Sequence, residues 1–281
     1  GIMGAPMALN LLKAGHTLFV ASRSKVPTAF AEAGATVCTN AMEVAKRADI
    51  VITMVPDTPH VEDVLFGEHG VAQGLKPGQL VIDMSSISPM ATKAFARQIN
   101  ALGCDYLDAP VSGGTLGAEQ GTLAIMAGGK AADVERVQPV LAVLGRATHV
   151  GPHGAGQLAK LANQMIVGIT IGAVAEALLL CEKGGADMAR VKQAISGGFA
   201  DSRILQVHGQ RMVERDFAKR GAMAVQLKDM RNALATAAEV GFEAPITGLF
   251  EQLFAQGVEH GLADMDHSAL FVELARRNGM V

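Results

Sequence analysis

A lysine and two amides share one face of a predicted helix in the middle of the chain. Lys160 is followed by Asn163 and Gln164 at the i+3 and i+4 positions, which lie above one another on a helix. The residues that follow, Met165 to Cys181, are strongly apolar. Polar groups at the start of a buried helix need partners, because an unpaired buried polar group is costly. An anionic ligand is one such partner, and the alternative is a lysine whose ammonium group reaches water.

A second candidate site is the segment from Asp108 to Gly114, with the sequence Asp-Ala-Pro-Val-Ser-Gly-Gly. A hydroxyl precedes two residues without side chains, and consecutive backbone amides beside a serine can hold an anion. We therefore predict that Ser112, Gly113 and Gly114 bind a small carboxylate. An ordinary Gly-Gly loop is the alternative.

The beginning of the chain carries half of a dinucleotide-binding fingerprint. Gly1 and Gly4 match the second and third glycines of G-x-G-x-x-G. Gly1, Ile2 and Met3 would then form the turn that approaches a pyrophosphate at a helix N-terminus. The first glycine of the fingerprint and the strand before it are not in the sequence, so we expect residues upstream of Gly1. Half a fingerprint is a weak signal in a chain with 32 glycines.

Residues after other predicted strands extend this cofactor site. The strand that ends at Ala21 is followed by Ser22-Arg23-Ser24-Lys25, where NAD-binding proteins usually have an acid for the ribose hydroxyls. Arg23 instead suits a 2′-phosphate, which favours NADP over NAD, and a solvated basic turn is the alternative. Two further strand ends supply candidate cofactor contacts: Met54, Val55 and Pro56 after one strand, and Ser86 after the next.

The first half of the chain alternates strands and helices. Strands are predicted at 17–21, 49–55, 80–84, 105–108, 123–127 and 147–150, and helices at 5–14, 27–33, 41–48, 61–65 and 91–102. This pattern predicts an α/β, Rossmann-type, doubly wound parallel sheet. After Gly151 only helices bounded by glycines are predicted, at 157–183, 188–196, 202–213, 224–240, 244–259 and 268–278. We therefore predict a dinucleotide-binding domain at 1–151 and an all-α domain for substrate binding and oligomerisation at 152–281, with the cleft between them as the natural ligand site.

Composition restricts the class of protein. The 281 residues carry a net charge of −3, which argues against nucleic-acid binding because a basic stripe is expected there. The three cysteines are far apart and show neither disulfide nor zinc spacing, so we expect a cytoplasmic protein without a metal site. The apolar run after Gln164 is interrupted by Glu176 and glycines, which favours a core helix over a membrane span.

In combination, the motifs resemble those of the β-hydroxyacid dehydrogenases, the 3-hydroxyisobutyrate dehydrogenase-like family. The resemblance spans essentially the whole chain and rests on the G-x-x-G start, Asp83-Met-Ser-Ser86, the segment 108–114, Gly154-x-Gly-x-x-x-Lys-x-x-Asn-Gln164 and Lys228-Asp229. It implies that Lys160 is the general acid or base, that Asn163 orients the substrate and that Ser112, Gly113 and Gly114 hold its carboxylate. It also implies that Ser86 and Lys228 contact the cofactor near the nicotinamide.

The reaction implied by the resemblance is the NAD(P)H-dependent reduction of a small semialdehyde that carries a carboxylate. Asp266-His267-Ser268 and Asn163-Gln164 resemble the members that reduce tartronate semialdehyde (2-hydroxy-3-oxopropionate) to glycerate. Members acting on 3-hydroxyisobutyrate, succinic semialdehyde or glyoxylate are alternatives. A non-catalytic nucleotide-binding module is an alternative of another class. The Gly- and Ala-rich helix from Gln157 suits packing between subunits, so a homodimer or homotetramer is expected.

Overall fold

The computed structural model describes residues 1–280 and divides the chain into two compact units. Unit 1 comprises residues 1–160, and unit 2 begins at Leu161. Each unit has its own hydrophobic core. The predicted domain boundary at Gly151 stays a prediction.

Unit 1 alternates strands and helices, which confirms the predicted α/β class. Its strands are β1 Phe19–Val20, β2 Thr36–Val37, β3 Ile50–Thr53, β4 Leu80–Asp83, β5 Asp105–Asp108, β6 Val111–Ser112, β7 Leu123–Gly128 and β8 Gly145–Gly151. Its helices are α1 Gly4–Lys13, α2 Thr28–Glu32, α3 Ala41–Ala45, α4 Thr58–Phe66, α5 Pro89–Ala101, α6 Gly114–Gln120 and α7 Ala131–Leu144. A short 3-10 helix covers Val71–Gln73.

The strands form two sheets rather than the single sheet expected. Strands β1 and β2 pair with each other, and the other six follow the order β3-β4-β5-β7-β6, with β8 beside β7. The pairs β3–β4, β4–β5 and β7–β8 are parallel. Strand β7 is antiparallel to both β5 and β6, so the sheet is mixed at this side. The short helix α6 between β6 and β7 makes this reversal.

Strand β4 shows why the sheet is stable. All four of its residues are buried, as expected for a strand covered on both faces. Successive side chains point to opposite faces, so Leu80 and Ile82 join one core cluster and Val81 joins another. Helix α7 packs on the first face, and Phe95 of α5 on the second.

Unit 2 is helical, as predicted. Helix α8, Ala155–Lys183, begins in unit 1 and continues into unit 2, followed by α9 Met188–Ile195, α10 Arg203–Glu214, α11 Met223–Glu239, α12 Pro245–Gly257 and α13 Leu270–Arg277. By length and composition alone α8 could cross a membrane. In unit 2, however, Ile171, Val174, Leu178 and Leu179 of this helix lie in the hydrophobic core.

Candidate active site

The carboxyl ends of three parallel strands lie in one row of unit 1. In register, Thr53 of β3 lies beside Asp83 of β4, which lies beside Asp108 of β5. Ligands of open α/β sheets bind at this edge. The predicted cofactor contacts Met54–Pro56 and Ser86 directly follow two of these strands. The sheet therefore brings these candidates to the same edge.

Asp83 organises the loops after β3 and β4. Its Oδ1 accepts hydrogen bonds from Thr53 Oγ1 at 2.8 Å and from the Ser85 amide at 3.1 Å. The Ser85 hydroxyl oxygen in turn accepts from the Val55 amide at 3.0 Å. Burial raises the pKa of Asp83, and the hydrogen bonds from Ser85 and Thr53 offset part of this rise. The two candidate cofactor loops are thus tied to each other through buried groups.

Asp108 holds the first turn of α8. Its Oδ1 accepts from the Gly154 amide at 2.8 Å and its Oδ2 from the Gln157 amide at 2.9 Å. These amides have no partner inside the helix, and the positive end of the helix dipole faces the carboxylate. Burial raises the pKa of Asp108, whereas the bonds from Gly154 and Gln157 lower it. The strand end thereby fixes where α8 starts.

Gly156 allows this close approach of helix and sheet. A Cβ at this position would lie 2.3 Å from the Met126 carbonyl oxygen and 2.5 Å from that of Asp108. No larger residue fits without displacing α8. Close packing against the sheet therefore explains why the motif has a glycine at position 156.

Lys160 lies one turn after Gln157 on the same helix. The residue is only 8 % exposed. A buried ammonium group is rare unless it has partners, and Lys160 does make an interaction. Asp108 and Gly156 fix the backbone at the start of the helix that carries this lysine.

The predicted carboxylate loop lies where β6 ends and α6 begins. Gly113 has φ +141° and Gly114 has φ +64°, conformations that favour glycine. A Cβ on Gly113 would also lie 3.1 Å from Leu123 Cδ2. No side chain caps α6, and Ser112 is half-buried at the end of β6. The backbone amides and the Ser112 hydroxyl lie together at this loop, and the binding of a carboxylate there stays a prediction.

The half fingerprint forms the start of α1. This helix begins at Gly4 and has neither a side-chain cap nor an acid in its first turn. A Cβ on Gly4 would lie 3.5 Å from Met54 Cβ, so the loop after β3 is adjacent. Gly1 and Ile2 are exposed. The candidate cofactor residues 1–3 and Met54 are therefore neighbours in unit 1.

The segment after β1 is exposed and basic. Residues 22–25 are all exposed, and the Ser22 and Ser24 hydroxyls lie 3.1 Å apart. Arg23 lies between them, and no acid occurs in the segment. A ribose 2′-phosphate would meet hydroxyls and a guanidinium here.

The polar residues of unit 2 form a network of side chains. Asn163 Nδ2 donates to Gln164 Oε1 at 2.8 Å, and Gln164 Nε2 donates to Asp229 Oδ2 at 2.7 Å. Lys228 Nζ lies 3.1 Å from Asp229 Oδ1. The network thus joins the predicted residues Asn163 and Lys228 through two residues to which the sequence analysis gave no role. Gln164 and Asp229 are 65 positions apart, so spacing alone could not connect them.

Gln226 is a further member that sequence reasoning missed. Its Nε2 donates to the Gln164 carbonyl oxygen at 2.9 Å. A Cβ on Gly168 would lie 2.5 Å from Met230 Cε and 2.6 Å from this nitrogen, so the glycine leaves room for both side chains. The Gly-rich sequence of α8 could have indicated this contact, but the sequence analysis interpreted it as packing between subunits.

A second cluster of titratable groups in unit 2 surrounds Asp266. This buried carboxylate accepts from Arg211 at 3.0 Å, the Gly221 amide at 3.1 Å and the Ser268 hydroxyl at 2.6 Å. Burial alone would raise the pKa of Asp266, but hydrogen bonding from His208 and Ser268 and the nearby His267 hold it well below its usual range.

Ligand atoms of His208, Asp266 and His267 lie within 4.8 Å of one another. The Arg211 guanidinium, however, also contacts both Asp266 oxygens and lies 3.1 Å from His208 Nδ1. This cluster forms an internal network whose carboxylate is already engaged. Asp266, His267 and Ser268, which resemble the tartronate semialdehyde group in sequence, therefore form part of the scaffold of unit 2.

A cavity of about 500 Å³ lies at the opposite edge of the sheet, at the amino ends of β3 and β4. Its lining includes Lys46, Arg47, Lys76 and Arg136. None of the predicted site residues lines it. The buried hydrogen bonds at the carboxyl edge are the stronger indication of a built site.

A dinucleotide-binding α/β unit followed by helices defines a class of cofactor-dependent enzymes. A family model for the NAD-binding domain of 6-phosphogluconate dehydrogenase matches residues 1–151. A model for the NAD-binding region of NADP-dependent 3-hydroxyisobutyrate dehydrogenase matches residues 154–274. The chain belongs to the 3-hydroxyisobutyrate dehydrogenase-like family of β-hydroxyacid dehydrogenases, and is an NAD(P)-dependent oxidoreductase.

Individual relatives cover nearly the whole chain. The 2-hydroxy-3-oxopropionate reductase of Escherichia coli (strain K12) is 50% identical over 96% of this chain and 93% of its own length. The 2-(hydroxymethyl)glutarate dehydrogenase of Eubacterium barkeri is 39% identical over 96% and 91%. The solved structure of Mycobacterium tuberculosis 3-hydroxyisobutyrate dehydrogenase with L-serine has a TM-score of 0.85 at 34% identity, covering 98% of this chain and 96% of that one. The predicted family is confirmed.

Proposed function

We propose that this protein reduces tartronate semialdehyde to glycerate with NADPH. The observation that carries the proposal is the 50% identity to a 2-hydroxy-3-oxopropionate reductase along 96% of the chain. The relatives with lower identity act, by their names, on 2-(hydroxymethyl)glutarate and 3-hydroxyisobutyrate. All three names describe short acids, which agrees with a loop suited to a carboxylate.

Lys160 carries the acid–base chemistry in this proposal. Its ammonium group donates a hydrogen bond to the aldehyde oxygen of the substrate, and so stabilises the negative charge that develops there. As the aldehyde carbon is reduced, the Nζ proton passes to the oxygen and gives the alcohol. In the reverse direction neutral Lys160 takes the proton back. The firm placement of α8 by Asp108 favours this role, because proton transfer needs a fixed geometry.

The substrate carboxylate is bound by the loop at the end of β6 in this proposal. The Ser112 hydroxyl and the backbone amides of Gly113 and Gly114 donate to its oxygens. Hydrogen bonds to a charged acceptor are stronger than neutral ones. Asn163, three residues after Lys160 on α8, orients the substrate hydroxyl.

The cofactor supplies the hydride when it is bound. The residues present fit a dinucleotide: an uncapped helix start at Gly4, a turn with Gly1 before it, and an exposed segment with an arginine and no acid after β1. We propose that Gly1–Met3 hold the pyrophosphate, Arg23 the 2′-phosphate, and Met54–Pro56, Ser86 and Lys228 the remainder of the cofactor.

Initial rates with a panel of aldehydes test the substrate. Tartronate semialdehyde, methylmalonate semialdehyde (the oxidised form of 3-hydroxyisobutyrate), succinic semialdehyde and glyoxylate are compared by kcat/KM with NADPH. We expect tartronate semialdehyde to exceed the others by at least about tenfold, because one misplaced group costs 1–3 kcal/mol. Preference for another member of the panel would reassign the substrate within the family, and no turnover with any would favour the non-catalytic module.

The same assay tests the cofactor preference. Wild type should prefer NADPH to NADH, and the Arg23→Ala variant should lose this preference by raising KM for NADPH about tenfold, since a charged hydrogen bond to phosphate is lost. Lys13→Ala, at the other end of α1, is the control. An unchanged ratio in Arg23→Ala would contradict the role of Arg23.

We also propose that the protein is a cytoplasmic homodimer or homotetramer. Cys38, Cys104 and Cys181 are free thiols, which suits a reducing compartment. Unit 2 exposes large apolar side chains, including Ile166, Leu180, Ile246 and Leu249. Sedimentation equilibrium measures the assembly, and a monomer would contradict this part of the proposal.

A further inference from the structure

Gln157 is a buried amide to which the proposed reaction assigns no step. It is fully buried in the first turn of α8, one turn before Lys160. Its Oε1 accepts from the Ile87 amide at 3.0 Å, and its Nε2 donates to the Ser85 carbonyl oxygen at 2.8 Å. Its own backbone amide donates to Asp108. The residue therefore joins the loop after β4, the end of β5 and the start of α8.

The two side-chain bonds lie on either side of Ser86, the candidate cofactor contact. Ser85 is also bonded through its hydroxyl to the Val55 amide, in the loop that holds Met54 and Pro56. Displacement of residues 85–87 relative to α8 would therefore move the cofactor-binding loops relative to Lys160.

We infer that Gln157 is a positioning residue that sets the distance between the cofactor-binding loop at Ser86 and the acid–base group of Lys160. This inference rests on the proposed function. A glutamine suits this position because its amide has both a donor and an acceptor. The donor matches the Ser85 carbonyl group, and the acceptor matches the Ile87 N–H group. An apolar residue would leave both unpaired, and an ionised glutamate would place an acceptor against the Ser85 carbonyl oxygen.

Three variants test the inference. Gln157→Met keeps the length of the side chain but removes both bonds. Gln157→Glu keeps the shape and restores a donor only when it is protonated. Gln79→Met is the matched control, because Gln79 ties the amino end of the same strand β4 to the Ala45 carbonyl oxygen at 2.8 Å and to that of Ala48.

Hydrogen exchange at the Ile87 amide gives a readout that does not depend on turnover. In Gln157→Met this amide should exchange at least about tenfold faster, because its acceptor is lost, while the amides of β4 stay protected. Unchanged exchange at Ile87 would overturn the inference. The exchange measurement does not require turnover. If Ile87 exchanges faster in Gln157→Met but no semialdehyde is reduced by the wild type, only the proposed function fails.

Turnover then separates positioning from a purely structural role. We expect kcat of folded Gln157→Met to fall about 10²-fold with KM for the semialdehyde little changed, since a small misplacement of reacting groups can cost that much. Gln79→Met should retain kcat within about twofold. A Gln157→Met variant with wild-type kcat would overturn the inference.

The pH dependence of Gln157→Glu is the sharpest readout. A buried glutamate has a raised pKa, and the ratio of its kcat to that of wild type should rise about tenfold from pH 8.5 to 5.5 as it gains a proton to donate to Ser85. Asp83 and Asp108 of the sheet and Lys160 of α8 are present in both proteins, so the wild-type profile is the reference for this ratio. A ratio that stays well below one and does not change with pH would contradict the role of the donor.

Discussion

Asp108 of unit 1 and Asp266 of unit 2 are both completely buried, yet their surroundings differ. Asp108 receives hydrogen bonds from the backbone amides of Gly154 and Gln157, and burial raises its pKa. Asp266 receives the Arg211 guanidinium in addition to a backbone amide and a hydroxyl, and its pKa lies well below the usual range.

The difference indicates what each carboxylate does. Asp266 is neutralised by a cation of its own unit, which is typical of a group that holds helices together. Asp108 instead binds the start of the helix that carries Lys160. We therefore expect changes at Asp266 to affect stability, and changes at Asp108 to affect turnover.

The largest expected effect on stability comes from Asp266→Ala. The change leaves Arg211 without its buried partner, and we expect the free energy of unfolding to fall by about 3 kcal/mol. Urea unfolding measures it, with exposed Asp264→Asn as the control, for which less than about 0.5 kcal/mol is expected. If Asp266→Ala lowered kcat of the folded enzyme about tenfold but left stability unchanged, Asp266 would act on turnover and its assignment to stability would be wrong.

Asp108→Asn should act mainly on turnover. The amide can accept at one position only, so one of the two amides at the start of α8 loses its acceptor and the helix shifts. We expect kcat to fall about 10- to 100-fold, with a loss of about 1–2 kcal/mol of stability. Steady-state kinetics and urea unfolding on the same preparation separate the two. A loss of stability with full kcat would contradict the proposed placement of Lys160.

The pH dependence of stability should have opposite signs for the two residues. The folded-state pKa of Asp266 is lowered, so its contribution is present above the unfolded pKa, near 4, and is lost as the pH falls through the folded pKa. The folded-state pKa of Asp108 is raised, so its contribution is present below about pH 4 and is lost as the pH rises through the folded pKa.

The difference in unfolding free energy between wild type and Asp266→Ala should therefore shrink below about pH 4. The difference between wild type and Asp108→Asn should shrink as the pH rises above it. Urea unfolding from about pH 2.5 to 7 tests both signs. Stability differences that follow the same pH dependence in the two variants would contradict the distinction between Asp108 and Asp266.

Elements with a clear hydrophobic pattern could be predicted from the sequence. Strand β5 lies at the predicted residues 105–108, and the predicted helices in unit 2 agree within a few residues. Helix α6 was missed because Gly113-Gly114 was interpreted as a loop. Helix α7, Ala131–Leu144, has no counterpart among the predicted elements. The antiparallel β6 depends on its pairing with β7, which local patterns do not show.

The residues of the candidate site also fall into two groups, those that the sequence could indicate and those that only the structure shows. Candidates next to strand ends, such as Pro56, Ser86 and Ser112, were found because the carboxyl edge of a sheet is a general binding position. The partners that fix them were not. Asp108 meets Gly154 across 46 positions, and Gln157 meets Ser85 across 72. Such bonds arise from tertiary packing, which no local spacing specifies.

The most direct test of the central claim is kcat of Lys160→Ala beside that of Lys183→Ala, a lysine in the last turn of the same helix. NADPH dissociation constants are measured on both variants. We expect Lys160→Ala to lose about 10³-fold in kcat with NADPH binding retained, because a general acid is lost, while Lys183→Ala keeps wild-type turnover. A Lys160→Ala variant that retains a substantial part of wild-type kcat would show that Lys160 is not the general acid.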